Sequence, residues 1–251
     1  MFPTLRYRLP MLPAPSAQPN QSLIDGMRTL QALAVAPEPI GCRALARELD
    51  LTVTKVNRLL KTLAHLGIVR QTANRKYTAG PGMHVLAAQS LFASKLTSRT
   101  IPVLEKLRRF GHTVAMGVLW NESVSYLYHA PPGVDSTRAL ARIGVLPASS
   151  SGIGIALLAQ LNDAHIRHIY RDLGSVPGHP GGMDDLLATV AKAREQGYSR
   201  VLVNAEEGRH TIAVAVGQPV YAAIGLSGWL PEGGTAELVA ALRDAAANVE
   251  A

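Results

Sequence analysis

The stretch IGCRALARELDLTVTKVNRLLKTLAHLGIVRQ, residues 40–71, divides into two short amphipathic helices, a tight turn and the start of a strand. Leu45, Ala46 and Leu49 share one face of the first helix, about Cys42 to Leu49. Asp50-Leu51-Thr52 makes the turn, with Thr52 as N-cap of the second. Val56, Leu59, Leu60 and Leu63 line one face of that second helix, which runs to about His65 and stops at Gly67. Its polar positions carry Thr54, Lys55, Asn57, Arg58 and Lys61. A polar, basic, amide-bearing face backed by an apolar one suits a helix lying in the major groove of DNA. Arg58 is the expected guanine reader and Asn57 the adenine reader; Lys55 and Thr54 are the expected phosphate contacts. The bland alternative for Arg58 is an ion pair with Glu48. Arg43 and Lys61 complete the expected contacts from the two helices.

Working outward, Ser22–Ala36 reads as a preceding helix, with Ser22 as cap, Asp25 three positions on, and Leu23, Met27, Leu30, Leu33 and Ala34 inward. Pro37-Glu38-Pro39 ends it. Downstream, residues 68–71 and 75–78 flank the polar turn Thr72-Ala73-Asn74 and predict a hairpin. Helix, helix-turn-helix and hairpin make a winged helix-turn-helix, with Arg70, Arg75 and Lys76 of the wing placed to meet a DNA backbone or minor groove. Residues 83–96, after Gly80-Pro81-Gly82, predict a linker helix whose apolar side needs a partner subunit or the winged domain to cover it.

The 251 residues allow two domains, and 47% apolar residues supply a core. No window offers the ~18 apolar residues of a membrane span, so no membrane partner is expected. Residues 1–20 carry five prolines and no apolar run behind their arginines, so a signal peptide is not expected; a disordered tail over 1–21 is. The single cysteine, Cys42, excludes an intrachain disulfide framework and fits a reducing compartment, the cytoplasm. The formal charge of +7 is unevenly spread: residues 1–95 hold 12 Lys+Arg against 4 Asp+Glu, and residues 96–251 hold 13 against 14. That split points to double-stranded DNA as the partner of the first part only.

The second part reads as helix (99–110), two strands joined at Asn121-Glu122, a third strand candidate (137–143), apolar helix (153–161), helices to about Tyr170 and over 183–196, three strands (198–203, 211–216, 219–227) and a terminal helix. That order suggests an α+β domain with an antiparallel sheet. Ser149, Ser150, Ser151 and Gly152 precede the apolar helix and cluster N–H groups at its positive end, which favours an anion such as a carboxylate; plain N-capping by one serine is the alternative. His165 and His168 share a helix face without further ligands, so no metal is expected. Gly-x-Ser-x-Gly is absent, and Gly152-Ile153-Gly154 lacks the setting of a dinucleotide site, so neither catalytic residue nor cofactor is expected.

The order and spacing of several motifs resemble the IclR family of bacterial transcription regulators over about residues 22–249. They are Arg43-Ala-Leu-Ala-Arg-Glu-Leu, Leu51-Thr-Val-Thr-Lys-Val-Asn-Arg-Leu-Leu and Leu66-Gly-Ile-Val-Arg, then Arg142-Ile-Gly144, Ser151-Gly-Ile-Gly-Ile-Ala-Leu-Leu-Ala159, Gly197-Tyr198-Ser199 and Ile224-Gly-Leu-Ser-Gly228. The resemblance implies a winged helix-turn-helix (22–80), a linker helix (81–97) and a GAF-like effector-binding domain (98–251). It also implies a homodimer or dimer of dimers on a palindromic operator, and a small organic acid as effector. By position the effector pocket would draw on Ser151, Gly152 and Ile153, on Thr211, and on Gly225 and Ser227. The chain departs from the family pattern there: Arg200, Val201 and Leu202 replace an acidic pair, Thr211 a cysteine, Gly225 a serine and Ser149 a histidine. Two alternatives stand beside an effector-controlled regulator. One is a DNA-binding protein whose second domain only oligomerises. The other is a small-molecule enzyme, which would want reactive cysteines that residues 96–251 lack.

Overall fold

The computed structural model describes residues 18–135, 138–140 and 144–250. The chain forms two compact units that meet between Leu96 and Thr97.

In the first unit, α1 (Gln21–Val35), α2 (Cys42–Leu49) and α3 (Val53–His65) pack around Leu33, Leu45, Leu49, Val56 and Leu60, all but excluded from solvent. Thr52 caps α3, its Oγ1 accepting from Lys55 N at 3.3 Å. Strands β1 (Val69–Gln71) and β2 (Tyr77–Ala79) form the antiparallel wing, and Ile40 makes an isolated bridge to Tyr77. Helix α4 (Pro81–Ser94) follows. Gly80 and Gly82 allow its start to lie on residues 67–68, since a Cβ on Gly80 would stand 2.6 Å from the Gly67 carbonyl oxygen.

The cap of α1 is Asn20 rather than Ser22: Asn20 Oδ1 accepts from Leu23 N at 3.1 Å. The inward face also differs from the expectation. Leu23 and Met27 are exposed, whereas Asp25, Thr29, Ala32 and Leu33 are buried. The helix is turned so that a carboxylate faces the other helices, where cations meet it.

The second unit opens with α5 (Leu96–Leu107) and contains an antiparallel sheet ordered β5-β4-β3-β8-β7-β6. The strands are β3 (Thr113–Trp120), β4 (Ser123–Ala130), β5 (Val145–Pro147), β6 (Ser199–Asn204), β7 (Arg209–Val216) and β8 (Ala222–Trp229). The third strand is thus 145–147. Of the candidate at 137–143, residues 137 and 141–143 lie outside the described residues, and Leu140 forms an isolated bridge to Tyr128.

One sheet face is lined by small residues, among them Ala115, Gly117, Ala213, Ala223 and Gly225, and it receives α6 (Gly152–Leu158). Behind α6 pack α7 (Asp163–Tyr170) and α8 (Met183–Gln196). Alternation along the strands sends Val114, Met116, Ile212, Val214, Ile224 and Leu226 to the opposite face, with α9 (Thr235–Glu250) against β7 and β8. A bulge opposite Met116 and Gly117 breaks the alternation in β4, so Tyr126 pairs with Gly117 and Tyr128 with Met116. The two tyrosines therefore serve opposite faces: Tyr126 OH meets Ser151 Oγ, and Tyr128 OH donates to Glu105 of α5.

Candidate functional site

Most of the residues expected to meet DNA lie on the surface of the first unit. Arg43, Thr52, Thr54, Arg58, Lys61, Arg70, Arg75 and Lys76 are exposed and Asn57 is half-buried. Arg58 has no carboxylate partner among the described residues, so the alternative pairing with Glu48 is not formed. The wing tip is a closed turn: Thr72 N donates to Lys76 O at 2.8 Å, and Thr72 Oγ1 to Asn74 Oδ1 at 2.5 Å. Arg75 sits there with φ +60°, in the left-handed region. Lys55 differs from its neighbours. Its ammonium rests on Asp25, whose side chain is fully buried, rather than standing free for a phosphate. Cys42 is half-buried, and burial pushes its thiol above the ordinary cysteine range.

In the second unit, the residues expected to form an effector pocket come together at the start of α6. Ser151 is its N-cap, with Oγ accepting from Gly154 N at 3.2 Å and lying 2.7 Å from Tyr126 OH. Gly152 lies directly on Thr211: a Cβ there would be 2.6 Å from Thr211 Cγ2. Thr211 Oγ1 donates to Ser227 Oγ at 3.0 Å across the β7–β8 pair. Ile153 is fully buried between Gly117 and Gly225, with both of which its methyls make close approach. Ser150 turns back to the Pro147 carbonyl at 3.3 Å and adds no group to the cluster.

The N–H cluster expected at this helix end is partly spent, since Ser151 occupies the Gly154 amide and α6 has only seven residues. What remains is two hydroxyl pairs, Tyr126–Ser151 and Thr211–Ser227, separated by the Gly152–Thr211 contact. Tyr126 has no counterpart among the sequence-predicted site residues, because strand alternation gives no hint of the bulge that turns it toward α6. Burial pushes its phenol above the ordinary range, which the bond to Ser151 only partly offsets, so it stands protonated at neutral pH.

Elsewhere, Arg171 Nη1 lies 2.9 Å from His168 Nδ1, occupying one of the two helix histidines. Among the described residues, no three His, Cys, Asp or Glu side chains are grouped as a metal site requires, and no helix is long and apolar enough to cross a membrane.

A winged helix-turn-helix followed by an α+β unit that carries two internal hydroxyl pairs defines a two-domain DNA-binding protein. Residues 22–73 match the IclR helix-turn-helix domain, and residues 88–251 match the bacterial transcriptional regulator IclR C-terminal domain. The chain belongs to the IclR family of bacterial transcriptional regulators and is not an enzyme. It is 30% identical over 201 residues to the HTH-type transcriptional regulator KdgR of Escherichia coli K12, covering 78% of this chain and 76% of that one. Its fold is similar to that of an IclR family transcriptional regulator from Brucella abortus, with a TM-score of 0.74 at 21% identity over 96% of this chain and 97% of the other. It is also similar to an IclR homologue from Microbacterium hydrocarbonoxydans complexed with 4-hydroxybenzoate, with a TM-score of 0.66 at 21% identity over 92% and 98%.

Proposed function

We propose that this regulator reads a palindromic operator as a homodimer or dimer of dimers, and that a small organic acid at the start of α6 tunes its DNA affinity. The observation carrying the effector reading is the pairing of Tyr126 with Ser151 at 2.7 Å and of Thr211 with Ser227 at 3.0 Å on a small-residue sheet face. Four hydroxyls give both donors and acceptors without a fixed charge, which suits a carboxylate that brings its own. The fold-level likeness to a homologue holding 4-hydroxybenzoate supports an acid of that size. On the DNA side, Arg58 and Asn57 read base edges from α3, while Arg43, Thr54, Lys61 and the wing cations Arg70, Arg75 and Lys76 meet phosphates.

The test is calorimetric titration of the full chain with a panel of 2-oxo acids and hydroxybenzoates, repeated on Thr211→Val and Ser151→Ala. At least one acid should bind, and each variant should lose about tenfold, the worth of one hydrogen bond to a charged group. The same acid should shift operator binding in a mobility assay. Binding that is equal in all three proteins would place the effector elsewhere. One observation favours a second reading, in which the C-terminal unit only oligomerises. Two cavities, of about 270 and 470 Å³, are bordered by neither hydroxyl pair, and Ile153 fills the space beneath. A mobility shift indifferent to every acid would support that reading.

A further inference from the structure

Asp25 is an acid on α1 that lies off the apolar stripe of the sequence pattern, yet the fold turns it inward. It is fully buried. Oδ1 accepts from Gln21 Nε2 at 2.9 Å, one turn back on α1. Oδ2 is met by the ammonium of Lys55 and, among the described residues, by no other donor. Arg28 Nη1 stands 3.7 Å from Oδ1, while its Nη2 donates to the carbonyl of Leu49, the last residue of α2, at 2.9 Å. One carboxylate on α1 therefore holds α3 directly and α2 through Arg28.

A buried carboxylate stripped of its cation is strongly unfavourable, so the pair does not separate readily. Lys55 cannot then serve a DNA phosphate without leaving the buried Oδ2 of Asp25 unmet, since Gln21 and Arg28 lie on Oδ1. Its place on α3 matters too. Residue 55 lies in the first turn, its amide held by the Thr52 hydroxyl at 3.3 Å and its side chain by α1. Fixing one residue at both ends fixes the rotation of a helix about its axis, and Arg58 stands three residues further along.

We propose that Lys55 is a positioning residue and not a DNA contact: its ion pair with buried Asp25 sets the rotation of α3, and so the approach of Asn57 and Arg58 to base edges. The inference rests on α3 being the reading helix.

The experiment uses the full chain and two 30-base-pair duplexes, one carrying the operator footprinted beside its own gene and one scrambled. Affinities are measured across a KCl series for Asp25→Asn, Lys55→Met and Arg58→Ala, with hydrogen exchange of the α1–α3 amides reporting whether the fold persists. Asp25→Asn and Lys55→Met should each cut the operator-to-scrambled affinity ratio about tenfold, and leave the slope of log K against log[KCl] on scrambled DNA unchanged. A slope reduced by about 0.9 in Lys55→Met, with Asp25→Asn like wild type, would make Lys55 a phosphate contact and overturn the proposal. An unchanged ratio in both variants would overturn it as well. Where exchange protection is lost, the double variant Asp25→Leu/Lys55→Met replaces the pair by apolar groups of similar size. A positioning role keeps its ratio low although protection returns; full recovery of the ratio means the pair only stabilises the fold, and overturns the proposal. Arg58→Ala separates the two failures, because a ratio untouched by it would remove α3 as the reading helix whatever Lys55 does.

Discussion

Three consecutive serines illustrate how much a side chain's role depends on its neighbours in space. Ser149 donates to the Pro177 carbonyl at 2.7 Å, Ser150 to Pro147 at 3.3 Å, and only Ser151 both caps α6 and pairs with Tyr126. Tyr170 shows the same dependence in its titration. It is 2% exposed, its hydroxyl 3.5 Å from the Glu122 carbonyl, and burial above all pushes its phenol up to about 12 from the usual 10. Below pH 10 folded and unfolded chains both keep the proton, and the full stability is present. As pH rises from 10 to about 12 the unfolded chain ionises first, and about 2–3 kcal/mol is lost by the end of that window. Urea melts at pH 9, 10 and 11 should show this fall, and a shallower one in Tyr170→Phe; Tyr126 and Tyr128 shift the same way, so the slope is reduced rather than abolished. At this scale the exposure of Arg58, Lys61 and the wing cations was legible in the sequence, because charge on the polar side of a helix or at a hairpin turn needs no tertiary knowledge. Asp25 and Lys55 read as two separate surface groups, because their partnership spans thirty residues and exists only once α1 and α3 have packed.

At the level of elements, boundaries followed local signals closely. Gly67 ends α3 with φ +71°, and Gly197 ends α8 in the same left-handed region. The departures came where an element meets another. Alternation alone puts Tyr126 and Tyr128 on one face, and only the bulge in β4 divides them. The short strand 145–147 carries no alternation that could have marked it. Helix α6 packs more closely than its composition suggests. A Cβ on Gly154 would stand 2.1 Å from the Ala148 carbonyl oxygen and 2.4 Å from Ala148 Cα, both backbone atoms. Gly154→Ala should therefore push α6 off the 148–150 turn, destabilise the C-terminal unit by about 3 kcal/mol, and disturb Ser151 with it. Gly174→Ala, whose Cβ would meet nothing within 4 Å, should stay within about 0.5 kcal/mol. Thermal melts of the two variants against wild type make the comparison.

For the whole molecule, the division of charge is also a division of labour. The winged unit carries the net positive charge, and the near-neutral second unit balances its charges and holds the two hydroxyl pairs. Helix α4 has no buried residue, with Val85 52%, Leu86 56% and Phe92 85% exposed. Three large apolar side chains left in water on one helix are the mark of an association surface. The full chain should sediment as a dimer or larger at micromolar concentration, and Leu86→Glu/Phe92→Glu should lower its mass toward the monomer. The same variant should lose the paired footprint, since two winged units need to sit about 34–36 Å apart to engage successive major grooves. An undiminished mass would move the interface away from α4.

Under the effector reading proposed above, the Tyr126–Ser151 pair would set what kind of gauge the C-terminal unit is. A ligand claiming the Ser151 hydroxyl finds a phenol already there, so binding is an exchange of one hydrogen bond for another, and its strength is the difference between the two. Under that reading, such a site would fill as the acid accumulates and empty as it is consumed. It would be suited to following abundance in both directions, not to capturing traces.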